Sequence, residues 1–165
     1  MEQPAPIVIE AAAPADIATA RRLFEEYAAW LKVDLCFQDF DRELATLPGD
    51  YAPPAGRLLL AMIDGRVAGC VALRPLEREI CEMKRMWVRP EFRGLEIGRK
   101  LAEEIIAQAR TIVLADGSRY ARMRLDTLAW MTAAIALYRS LGFREIAAYR
   151  YNPQPDAIFM ELELR

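Results

Sequence analysis

Four residues in one short stretch have the types and spacing to hold an anion. Between Met86 and Leu101 the chain passes from the apolar run Met86-Trp87-Val88 to Arg93, Gly94, Gly98 and Arg99, and a helical pattern takes over. A strand that runs into a glycine-containing loop and then opens a helix presents unpaired N–H groups and the positive end of the helix dipole. Both suit phosphate. Gly94 and Gly98 let the backbone come close to such a group, and Arg93 and Arg99 add charge-assisted donors. Spacing alone leaves a second reading open: a turn that caps a helix, with both arginines solvated.

What the chain lacks narrows its catalysis. There is no histidine among 165 residues, so proton transfer falls to Glu, Asp, Tyr, Cys or water, and Ser-His and Cys-His triads are excluded. Cys36, Cys70 and Cys81 are widely spaced and form no CxxC pair, so no metal is expected and reduced thiols in a cytoplasmic protein fit better. Apolar residues make up 54% and charged residues 28%, the balance of a soluble globular protein. No stretch approaches the ~20 apolar residues of a bilayer span, so no membrane association is expected. Met1-Glu2-Gln3-Pro4 lacks the basic flank of a secretory signal. A net charge of −2, with both signs mixed, argues against nucleic acid as a partner.

The elements that must position this loop can be read from period and punctuation. Ile7–Glu10 reads as a short strand, and a helix starts near Pro14, with Ile17, Ala20, Phe24, Tyr27, Ala28 and Leu31 as its buried stripe. A short helix over 41–47 precedes the Pro/Gly-rich loop 48–56. Asp64-Gly65 joins strands 57–63 and 66–73 in a tight hairpin, and 80–88 is a third strand. A helical pattern runs over 94–115, with Ile97, Leu101, Ile105, Ala109 and Ile112 on one face. Strand 123–128, helix 132–141, strand 144–147 and strand 157–164 complete the order β-α-α-β-β-β-α-β-α-β-β. A meander followed by alternating helices and strands implies an α/β (α+β) fold with a mixed sheet and helices on both faces.

The stretch Val88 to Leu101 is similar to the acetyl-CoA loop of the GNAT N-acetyltransferase superfamily, Arg/Gln-x-x-Gly-x-Gly/Ala, with Arg93 at the first position and Gly98 at the last. Glu96 stands at the middle glycine position. A second block, Ala134-Ile135-Ala136-Leu137-Tyr138-Arg139-Ser140-Leu141-Gly142-Phe143, resembles the superfamily's "A-x-x-LY-x-x-x-GF" helix. The resemblance covers nearly the whole chain. It implies one GNAT-like domain over 1–165, a mostly antiparallel sheet of about six to seven strands, and acetyl-CoA as co-substrate. It also implies site roles. The backbone of Met86, Trp87 and Val88 pairs with the pantetheine arm, and the N–H groups of Arg93, Gly94, Leu95, Glu96, Ile97, Gly98 and Arg99 hold the pyrophosphate. Tyr138 lies near the thioester sulfur, and Glu82 serves as general base. Helical spacing leaves Tyr138 open as plain core, and Glu82 can instead pair with an arginine of a neighbouring strand. Asp126 is a second carboxylate that can orient the amine or take its proton.

Glu96 raises a question of affinity. Like charges at ~4 Å repel by roughly 1 to 4 kcal/mol as the surroundings change from water to a protein surface. An inward-pointing Glu96 would therefore weaken CoA binding by about tenfold or more. The acceptor, by the same resemblance, lies between the N-terminal helices, the cleft between the fourth and fifth strands and the C-terminal hairpin. Phe37, Gln38, Asp39 and Phe40 face it from one side and Tyr149, Tyr151 and Asn152 from the other, a set that suits a small, cationic or partly apolar amine; Phe37 and Phe40 can instead simply pin the second helix to the sheet. Arg74 and Arg78 are placed to meet an acidic acceptor or the CoA 3′-phosphate, or to be solvated. The expectation is therefore acetyl transfer to a primary amine of a small molecule. Acetylation of a protein amine and a non-catalytic acyl-CoA-binding module are the alternatives, and a homodimer is left open.

Overall fold

The computed structural model describes residue 2 and residues 4–165, apart from the Phe37 side chain. The reading of the N-terminus as signal-free falls partly on Met1 and Gln3, outside the described residues. Among the described residues seven strands form one sheet in the order β1-β2-β3-β4-β5-β7-β6: β1 (Ile7–Glu10), β2 (Arg57–Ile63), β3 (Arg66–Glu77), β4 (Ile80–Val88), β5 (Arg122–Leu128), β6 (Arg144–Ile146) and β7 (Ala157–Glu163). All pairings are antiparallel except β4 with β5. Among the described residues four helices cover it: α1 (Pro14–Leu31), α2 (Phe40–Thr46), α3 (Ile97–Thr111) and α4 (Thr132–Ser140). No described helix is long and apolar enough to cross a membrane.

The sheet separates two apolar layers. Ala20, Leu23 and Phe24 of α1 pack with Leu58, Leu60, Cys70 and Ala72 on one face. Ile97, Leu101, Ile105 and Ala109 of α3, with Tyr138 and Phe143, pack on Leu59, Val71, Met83 and Met123 on the other. Burying Phe24 or Leu101 completely contributes about 1.5–3 kcal/mol each. Pro14 stands in the first turn of α1 and Asp16 supplies its early acid, as the sequence predicts. The hairpin also forms as expected, with positive φ at both Asp64 and Gly65.

Several boundaries differ from the sequence reading, each for a local reason. α3 starts at Ile97, not 94, because Gly94 (φ 83°) and Glu96 (φ 62°) are left-handed and cannot continue a right-handed helix. It ends at Thr111, where Ile112 turns extended. β3 runs on to Glu77 because Pro75 and Glu77 still pair with β4. Three single-turn 3₁₀ segments, Cys36–Gln38, Gly49–Tyr51 and Pro90–Phe92, are too short to leave a periodic signal.

Two irregularities in β4 create the site. Opposite Val71 of β3, β4 carries two residues, Arg85 and Met86, since Ala72 pairs with Lys84 and Cys70 with Trp87. This is a β-bulge, and Arg85 takes φ 58° to make it. Further, the β4–β5 ladder ends at the pair Glu82–Arg124, although β4 continues to Val88 and β5 to Leu128. From there the two strands diverge, and the sheet opens in its middle.

Candidate active site

The divergence leaves a cavity of about 90 Å³. Met83, Lys84, Arg85 and Met86 line it from β4, and Leu125, Asp126, Thr127 and Leu128 from β5. Tyr27, Leu31 and Gln38 close one face, Ala134 and Tyr138 of α4 the other, and Asn152 and Gln154 the end. Strand edges without a ladder partner carry free backbone donors and acceptors, and an extended ligand bearing amides can join them as a strand would. Met86 and Val88 lie on that stretch, their side chains packed toward the α3 layer, while Trp87 is turned the other way into the α1 layer.

At the mouth of the divergence stands the turn that opens α3. No side chain caps this helix, and among the described residues no loop carbonyl accepts from the amides of Ile97, Gly98 or Arg99. A 15-residue helix thus presents its first N–H groups and its dipole outward. A Cβ placed on Gly94 would meet nothing within 4 Å, and one on Gly98 only Leu137 and Val88 at ordinary contact distances. The loop is therefore open to close approach by a phosphate. Glu96 does not obstruct it: its carboxylate is largely exposed and lies 3.3 Å from the Arg99 guanidinium. Arg99 in turn donates to Ser140 Oγ at 3.0 Å, tying α3 to α4. Leu95 is half-buried against the α3 layer. Arg93 behaves differently from the sequence reading. Its amide donates to the Pro90 carbonyl, and its guanidinium lies over Trp30 and Trp87 at 5.1 and 5.2 Å. Its Nε donates to the Val88 carbonyl at the end of β4, at 3.4 Å.

Tyr138 belongs both to the core and to the cavity wall. Its hydroxyl has no hydrogen-bond partner among the described residues, and burial pushes its pKa up. It is held as a neutral O–H donor facing the divergence. Asp126, half-buried, accepts from Asn152 Nδ2 at 3.2 Å and lines the cavity.

Glu82 is fully buried but is not part of the cavity wall. It accepts from Arg74 Nε at 3.0 Å and from the Tyr149 hydroxyl at 2.7 Å, and is also paired with Arg150. Burial works to raise its pKa, but the charges of Lys84, Arg150 and Arg74 and the Tyr149 hydrogen bond outweigh it. The result is a carboxylate held below its usual range. The neighbouring-strand arginine anticipated as an alternative partner is Arg74, directly across the β3–β4 ladder. Arg78 lies exposed in the turn at the other end of β4 from the α3 loop.

The remaining acceptor candidates are dispersed. Asp39 is exposed, 3.9 Å from Arg42, Tyr151 is 77% exposed, and Tyr149 is turned onto Glu82. The Phe37 side chain lies outside the described residues. Lys84 is the main residue the sequence reading passed over. It is buried, and its Nζ donates to Gln38 Oε1 at 2.7 Å. Burial, then the charge of Arg85, lowers its pKa to about 7 against the pull of Glu82 and Asp126. The signal available was its place two residues after Glu82, on the same face of a strand. Among the described residues no cluster of His, Cys, Asp or Glu is arranged to hold a metal.

An open central sheet edge beside an uncapped helix N-terminus is what a CoA thioester needs, and comparison with known proteins agrees. The chain belongs to the acetyltransferase (GNAT) family, whose model matches residues 19–143. It is 40% identical over 167 residues to an uncharacterized N-acetyltransferase of Schizosaccharomyces pombe, covering 99% of each chain. An acetyltransferase of the GNAT family from Staphylococcus aureus shares the fold with a TM-score of 0.75 at 20% identity, over 98% of this chain and 100% of that one. The Salmonella typhimurium protein yncA, solved with its cofactor acetyl-CoA, aligns with a TM-score of 0.67 at 23% identity, over 98% and 95%. The protein is an acetyltransferase that uses acetyl-CoA.

Proposed function

We propose that the enzyme acetylates the amine of a small molecule bound in the cavity between α1, β4 and β5. The observation that carries this reading is the cavity itself, about 90 Å³ and walled by side chains from α1, β4, β5, α4 and the 152–154 segment. That volume suits a compact acceptor rather than a protein surface.

The residues around it supply the parts of a direct transfer. Met86 and Val88 offer the strand edge for the pantetheine amides, and the first turn of α3 with Gly94 and Gly98 offers the anion site. When bound, acetyl-CoA supplies the activated acyl group. The amine nitrogen attacks the thioester carbonyl carbon, the C–N bond forms, and the C–S bond breaks with its electron pair staying on sulfur. Asp126, with one donor on its carboxylate and a place on the cavity wall, takes the amine proton directly or through water. Tyr138 gives its proton to the departing thiolate. Glu82, with all its partners inside the protein, serves as a positioning residue that fixes β4 against Arg74, Tyr149 and Arg150. The catalytic base assignment thus moves from Glu82 to Asp126.

The test is free-thiol release from acetyl-CoA across a panel of small amines and short peptides. Turnover should appear with small amines, fall about 10²-fold or more in Asp126→Asn, and fall in Tyr138→Phe. Turnover confined to peptides would overturn the small-molecule reading. Full activity in Asp126→Asn, with loss in Glu82→Gln at unchanged fold, would return the base role to Glu82.

A further inference from the structure

We infer that the acceptor is an amino acid with an apolar side chain, its carboxylate bound by Lys84 and its amine by Asp126. This rests on the small-molecule reading above and adds its substrate class.

The argument begins with charge on the α1 face of the sheet. Arg85 is bound by Glu43 through two contacts, at 2.8 and 3.1 Å. Arg74 and Arg150 share Glu82. Lys84 stands among them with no carboxylate in ion-pair contact among the described residues. Its one side-chain partner is the neutral Gln38 Oε1. Two of these cations line the cavity, Arg85 and Lys84; Arg85 is held by Glu43, so Lys84 is the cavity cation without a carboxylate partner among the described residues. A buried ammonium with a single neutral partner is costly to keep. A carboxylate arriving in the cavity would complete it.

The rest of the wall agrees. Asp126 brings the opposite charge to the same cavity, so its two ends match the two ends of an aminocarboxylate. Asp126 also lies on β5, across the divergence from Lys84 on β4. Leu31, Leu35, Met83, Leu128 and Met131 also line the cavity, which favours a side chain such as that of leucine or methionine. A peptide N-terminus has an amide in place of the α-carboxylate and would leave Lys84 without a counter-charge.

The experiment compares matched pairs differing only in the carboxylate: leucine against isopentylamine, and methionine against 3-(methylthio)propylamine. Free-thiol release is followed at fixed acetyl-CoA. For the wild-type enzyme kcat/KM should favour each acid by about tenfold to hundredfold, the worth of a charge-assisted bond. In Lys84→Met that acid-to-amine ratio should fall by about tenfold or more, chiefly through KM for the acid, and Lys84→Arg should restore part of it. Wild-type comparison needs no variant, so the inference is testable even if Lys84→Met folds poorly. Amines used as well as acids by the wild type would overturn the inference and leave the small-molecule reading standing. An equal loss of kcat for both members of a pair in Lys84→Met would overturn it in favour of a role in proton transfer. Turnover of peptides alone would overturn both readings.

Discussion

Glu82 and Lys84 stand two residues apart on one face of β4, and their different titration follows from what surrounds each. Glu82 is encircled by cations and a tyrosine hydroxyl and stays ionised. Lys84 has lost water without gaining an acid, and its pKa falls to about 7 from the usual 10.5. The charged groups bearing on it are Arg85, Glu82, Asp126 and Arg150. Between about pH 7 and 10.5 the folded chain then binds fewer protons at this site than the unfolded chain, so stability rises with pH across that window. Below it the cost of the buried charge is fully present. Lys84→Met should therefore exceed the wild type in stability at pH 6, with the gap narrowing toward pH 10. Urea denaturation at a series of pH values measures it, and a gap independent of pH would mean that Lys84 reaches water in the folded protein. The family resemblance singled out Glu82 by its place near the start of β4. Its partners were not readable, because Tyr149 and Arg150 are 67 and 68 residues away in sequence. Lys84 escaped for another reason. Strict alternation would put it on the same face as Met86 and Val88, and only the bulge at Arg85, which no periodic pattern announces, turns those residues to the other side.

At the scale of the element, α3 shows what periodicity can and cannot give. Its buried stripe follows from a 3.6-residue pattern, and Ile97, Leu101, Ile105 and Ala109 are all in the core. Its start does not follow, since a loop is defined by dihedral angles rather than by burial. The two left-handed residues before Ile97 explain the family pattern in physical terms. The middle glycine position requires positive φ, and Glu96 adopts it at a cost of roughly 1–2 kcal/mol relative to right-handed backbone. Gly98 is a different case, because its backbone is helical and a Cβ there would make only ordinary contacts at 3.7 and 3.8 Å. Packing gives no reason for glycine at this position; the proposed close approach of a phosphate would. Gly98→Ala should therefore raise stability by about 0.5–1 kcal/mol while weakening CoA binding. Thermal unfolding and calorimetric titration with CoA read the two effects separately. Stability gained with affinity unchanged would remove Gly98 from the pyrophosphate site.

For the whole molecule, the sheet is two units hinged at three residue pairs. Strands β1 to β4 form one continuous antiparallel ladder, and β5 to β7 form another. Among the described residues the only ladder pairs between them are Ile80–Arg122, Cys81–Met123 and Glu82–Arg124. Glu82 is one of those six residues, and its bonds to Arg74 on one unit and to Tyr149 and Arg150 on the other fasten the hinge from the side. Beyond it, Met83–Val88 and Leu125–Leu128 face each other without a ladder. A ligand that pairs with these edges extends the sheet across the opening and is bound by the folded state alone, so it stabilises by about 2.7 kcal/mol at a hundredfold excess over its Kd. That stabilisation should be local before it is global. Amide hydrogen exchange with and without acetyl-CoA should show new protection over 83–88, over 94–99 and to a lesser degree over 125–128. The β2–β3 hairpin, already paired on both sides, should change little. Uniform protection of the whole sheet would instead mean that the two units open and close as one, and that the hinge at Glu82 transmits the ligand's effect to every strand.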